Sequence, residues 1–477
     1  NPDRTPHPAM AEVKYAHQNI GFEAIDLANG LFRVTNRFYF TNLKKYMVHY
    51  SVTANNKVVR SGKVSLDIEP QASKEFTVPV GNLKPQAGTE YFVNFNVTTV
   101  EKEPLIPIGH EIACDQFRLP IESPKKAFKT SGPKLTVSTN GDNLSASSSK
   151  VNFMFNKKTG IVTSYKVDGT EYFSEGFGIQ PNFWRAPTDN DYGNGMPKRL
   201  QVWKESSKNF NVTDATVTMD GNNAVVNVNY LLPAGNLYIV NYTIYPSGAV
   251  NVAARFTSTD MDAAQTEVSE STRTATFTPG RDAARKEASK LNVPRIGVRF
   301  RLPASMNQVE YFGRGPAENY LDRNAGSMVG LYKSTAEELY FPYVRPQENG
   351  HHTDTRWVSL STGKKGLLIQ ADNTIGFNAL RNSIEDFDDE EATGLSRQWS
   401  NFTPEQVANH DEAAAKNVLR RQHHINDITP RDFVEVCVDL KQQGVAGYDS
   451  WGSRPEPAYT LPANREYNWG FTLIPLK

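Results

Sequence analysis

YIVNYTIYPSGAVNVAARF, residues 238–256, is the stretch that decides the fold. Tyr238, Val240, Tyr242 and Ile244 alternate with Ile239, Asn241 and Thr243. Beyond the turn, Val250, Val252, Ala254 and Phe256 alternate with Asn251, Ala253 and Arg255. Pro246-Ser247-Gly248 lies between the runs, and these residue types favour a tight turn, so the segment reads as a β-hairpin. Outward from the hairpin the pattern repeats. Val226, Val228 and Tyr230 alternate with Asn227 and Asn229 upstream, and Val434, Val436, Val438 and Leu440 with Glu435, Cys437 and Asp439 downstream. Period two with one polar side predicts antiparallel sheet with a solvated face rather than buried parallel strands. With 25 Phe, 20 Tyr, 32 Gly and 28 Pro, the composition also favours strands and turns over helices. The prediction is an all-β protein built of sandwiches.

Helix signals are few. Thr403-Pro404-Glu405-Gln406 offers a cap, a first-turn proline and a capping box ahead of VANHDEAAAKNVLR. GRDAARKEASKL, 280–291, is a second candidate inside a polar stretch, 257–294, that reads as an insertion loop. The segment ESPKKAFKTSGPK, 122–134, combines Pro, Gly, Ser and Lys without a strand pattern and marks a domain boundary. About 120 residues precede it, including the strand-like EYFVNFNVTTV at 90–100, which is the size of one immunoglobulin-like sandwich. No second linker interrupts the residues downstream, so they read as one large β domain.

Charge and cysteine content narrow the function. The 477 residues carry 52 Lys and Arg against 52 Asp and Glu, a formal net charge of zero. That argues against a protein held to nucleic acid by charge. No apolar run approaches the roughly 18–20 residues of a membrane helix. Cys114 and Cys437 are too few for a disulfide framework or a four-cysteine zinc site, and each reads as a buried free thiol. Nucleophile elbows, zinc-protease helices, dinucleotide fingerprints and phosphate loops are absent. The chain opens NPDRTPHPAM without an initiator Met or a signal-like segment, as either a processed protein or a piece of a longer chain would.

Six polar segments carry the chemistry. FWRAPTDNDYG, 183–193, sets Asp189 and Asp191 around Asn190. A metal loop is one reading, but the calcium-loop spacing is incomplete, and a turn with Asx caps held by Arg185 is the other. GRGPAENY, 313–320, reads as a turn leading into Glu318 and Asn319. His351-His352 and His423-His424 are adjacent pairs, and neighbours on a strand face opposite sides, so neither pair suits one metal ion. IEDFDDEEA, 384–392, holds many carboxylates, but glycoside hydrolysis needs one protonated and one ionised carboxyl across a single bond. A solvated acidic loop makes a poor acid, and the run reads as such a loop. AGYDSWGSRPEP, 446–457, places Trp451 on a loop, either packed on the sheet or offered to a sugar face. Burying about 100 Å² of apolar surface there would contribute about 2 kcal/mol.

Several of these segments, with one near the start of the chain, carry a resemblance. DRTPHPAMAEVKY (3–15), FWRAPTDNDYG (183–193), YFGRGPAENYLDR (311–323), YVRPQENGHHTDTRW (343–357) and GYDSWG (447–452) occur in the same order as in the C-terminal part of a glycoside hydrolase family 2 β-galactosidase of the large bacterial type, which the chain resembles. The polar stretch 257–294 departs from that pattern. The resemblance implies an immunoglobulin-like fourth domain over 1–121, a linker over 122–132, and over 133–477 a fifth, small-chain domain, an antiparallel β-supersandwich similar to the galactose mutarotase fold. It also implies that the acid/base Glu, the nucleophilic Glu and the magnesium and sodium ions belong to a (β/α)₈ barrel ending just before Asn1. No catalytic residue and no metal or other cofactor is then expected in this chain, which alone should not hydrolyse β-galactosides.

The resemblance assigns Trp451 to substrate binding, as an apolar platform reaching toward the barrel. Asp449, Arg185, Asp189, Asp191, Glu318, Asn319, Glu348, His351 and His352 are then expected on loops facing the site or the barrel. The implied partners are a β-galactoside or galactose, the barrel of the parent chain and further copies in a homo-oligomer, with neither nucleic acid nor membrane. The implied source is a soluble bacterial protein of cytoplasm or periplasm. Two alternatives stay open: a stand-alone carbohydrate-binding module, and an aldose 1-epimerase-like enzyme, which would need a general acid and base, typically Glu and His.

Overall fold

The computed structural model describes residues 1–257, 291–388, 425–449 and 452–477. The hairpin forms as its sequence requires. Leu237–Ile244 and Val250–Thr257 run antiparallel, with Tyr242 opposite Val252 and Val240 opposite Ala254. Gly248 closes the turn at φ +98°, a conformation that side chains with a Cβ rarely adopt. Tyr238, Val240, Tyr242 and Ile244 all point into the core.

The hairpin sits in a 12-stranded sheet. Its main path runs Gln180–Asn182, Arg295–Pro303, Phe433–Gln442, Gly366–Leu380, Tyr467–Leu476, Val250–Thr257, Leu237–Ile244, Asn223–Leu231 and Asn211–Asp220. His352–Ser361, Gln308–Gly315 and Met328–Thr335 branch from Gly366–Leu380. All pairings are antiparallel. A five-stranded sheet, Thr136–Asn140 to Thr170–Glu171, packs on it, and the two share one apolar core from Leu135 to Leu473. Large tyrosines fit this core because their hydroxyls find backbone partners: Tyr165 donates to the Gly248 carbonyl at 2.6 Å and Tyr230 to that of Gly160 at 2.9 Å.

The first 120 residues form a separate sandwich. Ile20–Asp26, Leu31–Asn36 and Ser73–Thr77 make one sheet; Lys57–Val64, Tyr46–Ala54, Tyr91–Thr99 and Glu111–Arg118 make the other. A second apolar core, centred on Phe32, Phe95 and Val93, lies between them. Residues 119–134 contain no strand. Gly132 presses on the hairpin turn so closely that a Cβ would meet the Pro246 carbonyl oxygen at 2.0 Å.

Several sequence expectations change. Helices outside the segments expected to be helical form at Ala9–Ala16, Asp189–Gly193, Met196–Arg199 and Gln201–Ser206. The 183–193 segment is therefore no Asx-capped turn: Thr188 caps the helix, its side chain and that of Asp191 forming a reciprocal capping box. The acidic run is not solvated where it is described. Ile384–Phe387 is a helical turn, and Asp386 and Asp388 are buried. Asp386 pairs with Arg431, and Asp388 accepts from Trp184 Nε1 at 2.7 Å and pairs with Lys204 at 2.7 Å. The polar side of Phe433–Gln442 is not solvated either: Glu435, Cys437 and Asp439 are all buried. Of the two thiols, only Cys437 is buried and Cys114 is half-buried. The helix expected from Thr403 onward, most of the 257–294 stretch, the candidate helix at 280–291 apart from Leu291, the remainder of the acidic run and His423-His424 lie outside the described residues.

Candidate functional site

The five motifs converge on one end of the large domain. The first reaches it through His7, whose ring lies edge-on to Tyr343 at 5.3 Å. In the second, Arg185 is fully buried and donates through Nη2 to both oxygens of Asp191 at 3.0 Å. Its Nη1 donates to the Gln443 carbonyl at 2.6 Å, and Nη2 reaches the Gly444 carbonyl at 3.1 Å. Arg185 thereby ties the capped helix to the chain leaving Phe433–Gln442. Asp189 stays exposed and joins the fourth motif: Gln347 Nε2 donates to it at 3.2 Å, and Arg345 pairs with it at 3.5 Å while stacking over Tyr192.

The third and fourth motifs interlock. Glu318 is buried and accepts from Arg323 Nη2 at 2.6 Å, the Tyr343 hydroxyl at 2.5 Å and the Gly350 amide at 2.6 Å. Burial, and then the Glu318 carboxylate, raise the Tyr343 phenol above its ordinary range, so it remains a donor. Asn319 accepts from the Thr353 hydroxyl at 2.6 Å, and its backbone amide donates to the His351 carbonyl at 2.8 Å. Asp322 accepts from the Val445 and Ala446 amides at 3.1 and 2.8 Å, fixing the root of the fifth motif. Asp449 is exposed on that loop and accepts from the Ser453 amide at 3.4 Å. Trp451 lies outside the described residues.

Beneath these loops runs a sealed polar network. Arg295, fully buried, donates through Nη2 to Asn378 Oδ1 at 2.6 Å and lies 3.1 Å from Asp439 through Nε. Glu348 accepts from Asn378 Nδ2 and Gln442 Nε2, both at 3.0 Å. His351 Nδ1 lies 2.9 Å from Asn378 Oδ1, which assigns the proton to Nδ1 by the logic of the network. Burial, then the Arg295 charge, hold the His351 imidazole well below its ordinary value, so it is neutral. Burial alone pushes His352 down to about 4. The two rings diverge: His351 stacks on Tyr320, and His352 lies between Tyr311 and Phe377. Glycine makes the room, since a Cβ at Gly376 would meet His351 Nε2 at 2.6 Å. The adjoining cavity, lined by Arg295, Glu348, Asn378 and Cys437, measures about 20 Å³. That is the space of one water and cannot take a sugar ring.

Residues 147–473 match the β-galactosidase small chain family. The chain belongs to that family. Residues 32–120 match β-galactosidase domain 4. A β-galactosidase of Priestia megaterium is 31% identical over 478 residues, covering 99% of this chain and 40% of that protein. A β-galactosidase of Vibrio cholerae is 26% identical over 474 residues with the same coverage. The chain thus spans about 40% of the length of these curated relatives. Among solved structures, a galactose 1-epimerase of Lactobacillus acidophilus superposes with a TM-score of 0.34 at 8% identity, over 72% of this chain and 98% of that one.

In this small-chain domain, Arg185, Asp191, Glu318, Asn319 and Glu348 stand out in the sequence and are all buried, while the partners that hold the deepest of them do not stand out. Arg295, Asn378, Asp439 and Gln442 come from strands, where they pass for ordinary polar positions. The one available signal is the charge at Glu435 and Asp439 on a strand whose other side is wholly apolar. The carboxylates do not fit a divalent cation: Asp191, Glu318 and Glu348 face guanidinium groups, and no three of His, Cys, Asp and Glu are grouped as metal ligands among the described residues. No helix there is long and apolar enough to cross a membrane.

Proposed function

We propose that the chain is the C-terminal accessory portion of a retaining β-galactosidase of glycoside hydrolase family 2, which removes terminal β-D-galactose from β-galactosides such as lactose. The observation that carries this reading is the small-chain match over residues 147–473 in a chain that covers 40% of its β-galactosidase relatives. On this reading residues 1–121 and 133–477 are the fourth and fifth domains, and the catalytic carboxylates, magnesium and sodium belong to a barrel upstream.

This chain's own residues then act as scaffold. The Arg185–Asp191 and Glu318–Arg323 pairs hold three loops in fixed relation, and the Asp322 carboxylate holds the chain at Val445 and Ala446. Trp451 is the residue that the resemblance assigns to the sugar. The burial of His351 and His352 weighs against the epimerase alternative, because neither ring is offered to a sugar as an acid or base. The substrate, the barrel and a homo-oligomeric assembly are the partners implied, in the cytoplasm or periplasm of a bacterium.

The test is complementation. The chain alone should leave an aryl β-galactoside intact, and mixing it with the remainder of the parent enzyme should restore hydrolysis. Turnover by the pure chain above a blank, or a remainder fully active without it, would refute the proposal.

A further inference from the structure

The chain leaving Phe433–Gln442 folds back over the short helices between Asp189 and Ser206. Between them lies a cavity of about 270 Å³, lined by Asn194, Arg199, Asn292, Gln443, Arg454 and Thr460, with Asp191 at its wall. Its charges do not balance. Both Asp191 oxygens are committed to Arg185, and one also accepts from the Thr188 amide at 3.0 Å. Arg185 thus takes up most of that carboxylate's charge, and only a residual pull reaches the cavity.

Two guanidinium groups remain. Arg199 donates through Nη2 to Asn194 Oδ1 at 3.0 Å, while its Nε is buried without a partner. Burial, then the charge of Arg454, lower the basicity of Arg199, against a smaller opposing pull from Asp191. Among the described residues no carboxylate pairs with either arginine. Like charges facing one cavity are costly in the folded chain, and an oxyanion between them would turn that repulsion into two charge-assisted contacts.

We propose that this cavity binds a small oxyanion of the phosphate class, free or carried on a sugar, clamped by Arg199 and Arg454. Asn292, Thr460 and Gln443 add neutral polar groups suited to hydroxyls or phosphate oxygens, beside Pro455 and Pro457.

The test is calorimetric titration of the whole chain with inorganic phosphate and with galactose 6-phosphate, at ionic strength held constant with sodium chloride, with galactose as the neutral control. Saturable one-to-one binding is expected, weakened about tenfold or more by Arg454→Gln and less by Arg454→Lys. Arg199→Gln should weaken it similarly. Because Arg454 is exposed, its replacement leaves the core untouched and the outcome cannot be ascribed to misfolding. Tighter binding of the sugar phosphate than of phosphate identifies a sugar-borne anion, and equal binding a free one. Absence of saturable binding, or binding unchanged in Arg454→Gln, overturns the proposal.

Discussion

Arg185→Ala removes the residue that joins the capped helix, the sheet and the loop of the fifth motif. The wild-type side chain is wholly buried beside an almost wholly buried Asp191. It makes two contacts of 3.0 Å with the carboxylate and two more with the Gln443 and Gly444 carbonyls. Its loss strands a buried carboxylate and two carbonyl oxygens. Breaking one partner of a buried pair costs about 3–5 kcal/mol, because the remaining charge is left uncompensated. With a urea m-value of about 3 kcal/mol per M, the midpoint of the large domain should fall by about 1 to 1.7 M. Arg185→Lys should recover little of it, since an ammonium cannot span the carboxylate and both carbonyls. The double variant Arg185→Met with Asp191→Asn should be less destabilised than the sum of the single changes, a coupling of about 1–3 kcal/mol. Urea unfolding followed by tryptophan fluorescence measures each of these proteins. A midpoint shift below about 0.3 M for Arg185→Ala, or strict additivity in the cycle, would refute the view that this pair holds the loops.

The same geometry sets other outcomes. Burial pushes the Asp115 carboxyl up to about 6 from its ordinary 3.8, at the junction of the two domains. Its contribution to stability is full below 3.8 and lost as pH rises through about 6, so Asp115→Asn should flatten the pH dependence of thermal unfolding between those values and gain on wild type above them. Gly376→Ala would drive a Cβ into the buried, stacked His351 ring and should cost about 1–3 kcal/mol in urea unfolding. Burial raises both thiols, Cys437 well above its ordinary value and Cys114 to about 11. Neither should react readily with a thiol reagent at pH 8 until denaturant is added, and rapid native labelling of Cys437 would contradict its placement.

The hairpin at 238–256 is legible in the sequence because its signal is local: alternation and a glycine turn need only neighbours along the chain. The order of the five motifs is legible for the same reason, and it leads to the family. The fate of the charged side chains is not. Glu435 and Asp439 alternate with valines as on a half-solvated strand, yet their side of the sheet is covered. Arg301 pairs with Glu435 at 2.9 Å and Arg295 approaches Asp439 at 3.1 Å, both from a neighbouring strand more than a hundred residues earlier. The acidic run at 384–388 likewise looks solvated until Arg299, Arg431 and Lys204 arrive to neutralise it.

The sequence by itself determined the strand pattern, the antiparallel class and the family, since each rests on residue type and short spacing. Only the tertiary structure decided which charges are buried, which histidines are withdrawn from solvent and which arginines are left facing a cavity. A charge is stable away from water only beside its counter-charge, and long-range folding alone brings such partners together.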